Sequence, residues 1–189
     1  MKSRLLKFGI GMLMLTSAFS FTLADGDVDI VRDYYKAFNK KDYKKLELLI
    51  DDSLEIFEMS NKVLDNKASF ISAIKWGEVF NSVNNLKSIR EEDGKVIVEE
   101  EQTSLKIDFL YGEPIQVRST YALENNLIVK IEIRLINFDQ ARMREKSDEF
   151  MNWVKLNHPY QFEAMQKTNK QGALTFVKAI KLFEKRGAE

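Results

Sequence analysis

Few side chains in this sequence could move a proton near neutral pH inside a cavity, and their spacing limits where each can point. A carboxyl group serves as general acid or base once burial lifts its pKa toward the working pH. The best-placed acids are Glu99 and Glu101 in the run Glu99-Glu100-Glu101, where a bend in the chain would turn one of them inward. The competing reading is an acidic surface run, with Lys87 opposite Glu100 by hairpin counting. Tyr121 and Tyr35 supply hydroxyl donors for a developing oxyanion. Together with Trp76, Thr103 and Ser119 they form the candidate ligand-contact set Tyr35, Trp76, Thr103, Ser119, Tyr121. Large amphipathic side chains suit such linings, although an aromatic on a helical stripe serves equally as core.

Other chemistries find little support. His158 is the only histidine and stands beside Pro159, where a helix start explains it structurally. With one histidine and no cysteine the chain offers no zinc ligand set, and none is expected. Its isolated glycines make neither a phosphate loop nor a dinucleotide fingerprint, and no serine sits in a nucleophile elbow, so no cofactor is expected.

The elements that must position these residues lie mainly between Asn84 and Ile136. Ile89 leads through Asp93-Gly94 to Val96 and Val98; Ile115, Val117 and Tyr121 follow Tyr111-Gly112-Glu113-Pro114. Leu127, Val129, Ile131, Ile133 and Leu135 then alternate with Lys130, Glu132 and Arg134. A period of two predicts an antiparallel meander with one buried face. Asp93-Gly94 is a strong hairpin signal, and counting outward from it pairs Ile89 with Val98. Leu105, Ile107 and Phe109 read as more of the same strand, but with switched parity. That switch predicts a β-bulge near Glu99 to Gln102, which would curl the sheet around a hollow. On this count Thr103, Ser119 and Tyr121 share the apolar face, whereas Asp108, Arg118, Lys130, Glu132 and Arg134 face away.

Helices flank the meander. Val28, Val31, Tyr34, Tyr35 and Phe38 fall at helical spacing, and Asp42 caps a second helix with Tyr43, Leu46, Leu49 and Ile50. Leu54, Ile56 and Phe57 read as a short strand, and Asn66 caps a third helix through Phe70, Ile71 and Ile74. Residues 139–189 are helical again, with an apolar stripe of Ala173, Phe176, Val177, Ile180 and Phe183. They are expected to pack on the main domain as an extension.

The chain has 189 residues, of which 31% are charged, which bounds it to about one soluble domain plus an appendage. Lys2, Arg4 and Lys7 precede an apolar run and Thr22-Leu23-Ala24, the pattern of a signal peptide over residues 1–24 cleaved near Ala24. A periplasmic or secreted location follows. Without those three bases, 26 basic residues face 29 acids, so nucleic acid is not an expected partner. Basic clusters at Lys40, Lys41, Lys44 and Lys45 and at Lys178, Lys181, Lys185 and Arg186 read as solvated faces, and membrane contact is not expected.

Val31-Arg32-Asp33-Tyr34-Tyr35-Lys36-Ala37-Phe38-Asn39-Lys40-Lys41-Asp42-Tyr43, followed by Leu46 to Leu54, resembles the opening of nuclear-transport-factor-2-like proteins, which include ketosteroid isomerase and SnoaL-like polyketide cyclases. The resemblance covers about residues 28–138 and implies an α+β fold. In it a bent antiparallel sheet makes a cone, covered by three helices from the N-terminal half, with the C-terminal helices added. It also implies a pocket for small, often apolar molecules, and a homodimer formed through the sheet. Because the apolar face carries so few bases, the leading expectation is an exported, non-catalytic protein that binds a small apolar or amphipathic molecule. An isomerase, dehydratase or cyclase using Glu99 or Glu101 is the alternative. A third reading, an interaction module of the cell envelope, requires an exposed apolar strip along Phe176, Ile180 and Phe183.

Overall fold

The computed structural model describes residues 26–186. The signal segment expected at residues 1–24 lies outside them. Helix α1 (Asp27–Lys40) buries Ile30, Val31, Tyr34, Tyr35 and Ala37 on one side, and Asp27 and Asp29 in its first turn suit the helix dipole. It ends at Lys41, which takes the left-handed conformation that lets the chain reverse. The Asp42 carboxylate then accepts the Lys45 backbone N–H and starts α2 (Tyr43–Leu49). Strand β1 (Ile50–Glu58) turns into β2 (Asn61–Leu64), and Asn66 caps α3 (Lys67–Glu78) through the Ser69 N–H.

Strands β3 (Val83–Glu92) and β4 (Lys95–Thr103) meet at Asp93-Gly94, whose φ values of 51° and 68° are both positive as a type I′ turn requires. Ile89 pairs with Val98, the register counted from the turn. Helix α4 (Leu105–Leu110) leads to β5 (Ile115–Glu124) and β6 (Leu127–Ile136), which are joined by Asn125-Asn126. Helices α5 (Gln140–Asn157), α6 (Pro159–Met165) and α7 (Lys170–Lys185) complete the chain.

The six strands form one sheet in the order β2-β1-β6-β5-β4-β3. From β6 to β3 it is the expected antiparallel meander, but β1 lies parallel to β6, so the sheet is mixed. Its curl comes from irregularities placed differently from the expectation. The register between β3 and β4 shifts between Leu86, opposite Glu100, and Ser88, opposite Glu99; the extra residue is Lys87 on β3, and β4 itself stays regular against β5. A second shift, at Val129, makes Ile128 the buried residue below it. Each extra residue bends its strand and increases the local twist.

The segment Leu105-Ile107-Phe109 is helix, not strand. Ser104 accepts the Ile107 N–H as an N-cap, and the apolar residues then serve two faces. Leu105 and Phe109, four apart and hence on one side, join the C-terminal helices; Ile107 turns toward Tyr111, Ile115 and Val117. An apolar residue at every second position fits a helix packed on both sides as well as it fits a strand.

One core fills the space between α1, α2, α3 and the inner face of the sheet. A second gathers Phe80 from the end of α3 with Phe150, Val154, Met165, Ala173, Phe176, Ile180 and Phe183, so the C-terminal helices pack on α3 and α4. Phe176, Ile180 and Phe183 are 8%, 2% and 3% exposed, and the strip required by an envelope interaction module is covered by the chain itself. Among the described residues no helix is long and apolar enough to cross a membrane.

Candidate functional site

The inner face of β4 is set by its first residues. Val96 and Val98 are fully buried, and the same step of two brings Glu100 inward with only 3% of its surface exposed. Glu99 and Glu101 therefore point out. Glu99 pairs with Arg118 at 2.8 Å and Glu101 with Lys87 at 3.4 Å, both in partly exposed settings. The acid in the cone is the middle member of the triplet.

Its surroundings come from three elements. Ser119 on β5, 1% exposed, donates its hydroxyl to Glu100 Oε1 at 3.2 Å, and the Gln102 side-chain amide donates to the same oxygen at 3.2 Å. Tyr121, two residues beyond Ser119 on the same face, donates to the hydroxyl oxygen of Tyr35 on α1 at 2.7 Å. Tyr35 stands close enough to Glu100 for each to perturb the titration of the other. The ring of Tyr34 closes the cluster edge-on, its centroid 5.4 Å from that of Tyr35 and 5.6 Å from that of Tyr121.

Burial dominates the electrostatics. Loss of water raises the Glu100 carboxyl above the ordinary glutamate value, while the bonds from Gln102 and Ser119 and the nearby Tyr35 hydroxyl oppose that rise. Burial also pushes the hydroxyls of Tyr35 and Tyr121 up, the nearby Glu100 charge adding to it in both, so both stay protonated donors. Glu100 Oε2 is buried without a hydrogen-bond partner among the described residues. An unmade bond on a buried oxygen costs about 1–3 kcal/mol, and a proton or a ligand group relieves it.

A pocket of about 490 Å³, the mouth pocket, lies where α3, α4 and the start of α5 meet the sheet. Trp76 and Phe80 wall it from α3 and the turn after it, Ile115 and Leu135 from the sheet, Phe138 and Met143 from the approach to α5 and its first turns. Two features tie it to Glu100. Gln102, which bonds the carboxylate, is itself part of the lining. Leu135 also stands in the cross-sheet row of Glu100, since Glu100 pairs with Val117 and Val117 with Leu135.

The five residues proposed as ligand contacts thus divide. Tyr35, Ser119 and Tyr121 meet around Glu100, Trp76 lines the pocket, and Thr103 pairs with Val83 at the end of β4 and joins neither. His158 lies apart, its ring 5.0 Å from that of Trp153 between α5 and α6, where its side chain caps neither helix. No cluster of three or more metal-ligating side chains occurs among the described residues. Glu100 was legible as the residue two beyond Val98. Reading Thr103 to Phe109 as strand displaced the parity and hid it.

The fold is shared with solved structures described as a polyketide cyclase and a ketosteroid isomerase, in keeping with the resemblance seen in the sequence. IdmH of Streptomyces antibioticus, a proposed polyketide cyclase, superposes with a TM-score of 0.52 at 13% identity, covering 65% of this chain and 98% of that one. A proposed ketosteroid isomerase of Kribbella flavida gives 0.51 at 9% identity over 60% and 80%. Bal32a, from a soil-derived mobile gene cassette, gives 0.50 at 16% identity over 59% and 89%. No protein-family model and no curated protein matches the sequence.

Proposed function

From the nuclear-transport-factor-2-like fold and the acid sealed within it, we propose that this protein is an acid–base enzyme of the isomerase, dehydratase or cyclase type. The observation that carries this reading is Glu100: a buried carboxyl with one oxygen held by Ser119 and Gln102 and the other without a partner. Glu100 is the proton acceptor, its basicity raised by loss of water. Tyr35 and Tyr121, kept protonated, form a relay of donors that steadies negative charge on the carboxyl or on an enolate. The mouth pocket holds the substrate, a small molecule whose apolar body lies against Phe80, Ile115 and Leu135. The reaction class is proton transfer at a carbon next to a carbonyl.

A second reading, a non-catalytic carrier, is favoured by the packing of Glu100 itself. At 3% exposure it sits behind Gln102, so a pocket ligand reaches it only if that amide swings aside. Deuterium exchange into a panel of cyclic enones and 1,3-diketones, followed by NMR, separates the two. Exchange above the buffer rate that falls about 10²–10⁴-fold in Glu100→Gln supports the enzyme. Binding without exchange, or exchange unchanged in the variant, supports the carrier.

Two further elements belong to the proposal. Export rests on the basic and apolar pattern of residues 1–24, and N-terminal sequencing of protein from its native envelope would check cleavage after Ala24. A homodimer through the outer face of the sheet rests on the resemblance to the fold family, and native mass spectrometry would read the subunit count.

A further inference from the structure

The mouth pocket carries a polar cluster that proton transfer at Glu100 does not use. Lys106, at the start of α4, is partly buried, and loss of water lowers its pKa. Its ammonium lies 5.1 Å from the ring centre of Trp76 and 5.6 Å from that of Phe176. Among the described residues no carboxylate pairs with it. Arg144, on α5, is exposed at the same pocket and likewise has no carboxylate partner there. Trp76 Nε1 is buried with no acceptor among the described residues. Glu58 is the single acid of the lining; it is exposed at the end of β1 and pairs with neither cation.

Lys106, Arg144 and Trp76 thus line one cavity, the first two charged without a carboxylate partner and the third with an unpaired indole N–H, and apolar side chains make up much of the remaining wall. A desolvated ammonium and an unpaired buried N–H are both unfavourable unless an acceptor arrives. An oxyanion is acceptor-only and suits such donors, and its charge offsets that of Lys106 and Arg144.

We propose that the mouth pocket recognises an amphipathic molecule by an oxyanion head, bound by Lys106, Arg144 and the Trp76 indole N–H, with its apolar body directed along Ile115 and Leu135 toward Glu100. This inference rests on the pocket being the ligand site of the preceding reading and adds the chemical class of the ligand. A carboxylate and a phosphate share the required head, and the experiment distinguishes them.

Calorimetric titration of the purified protein with decanoate, decanamide and octyl phosphate reads the preference. Decanoate or octyl phosphate is expected to bind at least about tenfold more tightly than the neutral decanamide, the tighter of the two naming the head. Lys106→Met, Arg144→Gln and Trp76→Phe should each reduce that preference several-fold. Arg144 is exposed, so its variant keeps the test open if the buried positions fail to fold. Equal binding of decanoate and decanamide, or a preference that survives in Lys106→Met and Arg144→Gln, overturns the assignment. Glu100→Gln should keep the preference for decanoate over decanamide. Loss of proton exchange in that variant with binding intact leaves the oxyanion site standing, whereas intact exchange with no charge preference removes the site and keeps the enzyme.

Discussion

Tyr121 on β5 donates its hydroxyl proton to Tyr35 on α1 across 2.7 Å, so the sheet and the opening helix of this protein are joined by a hydrogen bond inside the cone. Glu100 lies beside this pair, close enough that its charge raises both hydroxyls further. Sheet, helix and acid therefore form one buried polar unit in an otherwise apolar core. Such units are sensitive to loss of any member, because the partner left behind has no water to turn to.

Glu100→Gln is expected to reverse its effect on stability with pH. The folded-state pKa of Glu100 is raised by burial, so its contribution is fully present below the ordinary glutamate value and declines as pH rises through the folded pKa. At pH 8 the amide, which carries no charge to desolvate, should therefore be the more stable form. The gain is about 1 kcal/mol, or roughly 2–4 °C in Tm for a chain of this size. At pH 5 the advantage should shrink or vanish in a thermal melt. A variant less stable than the parent at pH 8 would contradict the assignment of a strained acid.

Tyr35→Phe and Tyr121→Phe should differ in cost. The first leaves the buried Tyr121 hydroxyl with no acceptor, for a loss of about 1–3 kcal/mol. The second removes one donor only and should cost about 1 kcal/mol. Urea unfolding of the two variants checks the order.

Phe150→Ala tests whether the C-terminal helices are integral. Phe150 is fully buried, and its ring centroid lies 5.0 Å from that of Phe109, 5.2 Å from Phe176 and 5.4 Å from Phe183. Truncation should cost about 3–5 kcal/mol. A loss below about 1 kcal/mol would mean that the helices add little to the folded unit.

Gly172→Ala probes the entry to α7. A Cβ at this position would stand 1.9 Å from the Lys167 carbonyl oxygen, closer than any contact the backbone tolerates. A variant with unchanged melting temperature would show that the turn before α7 rearranges freely; a loss of several degrees is expected.

Much of this architecture was written in local pattern. The stripe from Val31 to Phe38, the cap at Asp42 and the turn at Asp93-Gly94 each follow from short-range chemistry, and each has its expected place. What failed was a choice between two periods. Leu105, Ile107 and Phe109 alternate as a strand would, yet they form a helix packed on two sides, and only the tertiary setting decides between these. Because Leu105 to Phe109 are helix, the bulge lies on β3 at Lys87 instead of on β4, and Glu100, not Glu99 or Glu101, faces inward. The parallel pairing of β1 with β6 involves residues more than seventy positions apart and leaves no local mark. Parity and helical spacing were enough to put Tyr35, Ser119 and Tyr121 on the inner side, whereas the approach of Lys106 and Arg144 to one pocket depends on how α4 and α5 pack and leaves no local mark.

The central claim is that an acid with a raised pKa sits where a pocket ligand can influence it. Carbon-13 NMR titration of the glutamate carboxyls, with Glu100 assigned by comparison with Glu100→Gln, measures this directly, in the absence and presence of decanoate. The expected result is an inflection for Glu100 above the ordinary value of 4.5 that shifts when decanoate is bound. An inflection at or below that value, unmoved by the ligand, would contradict the account.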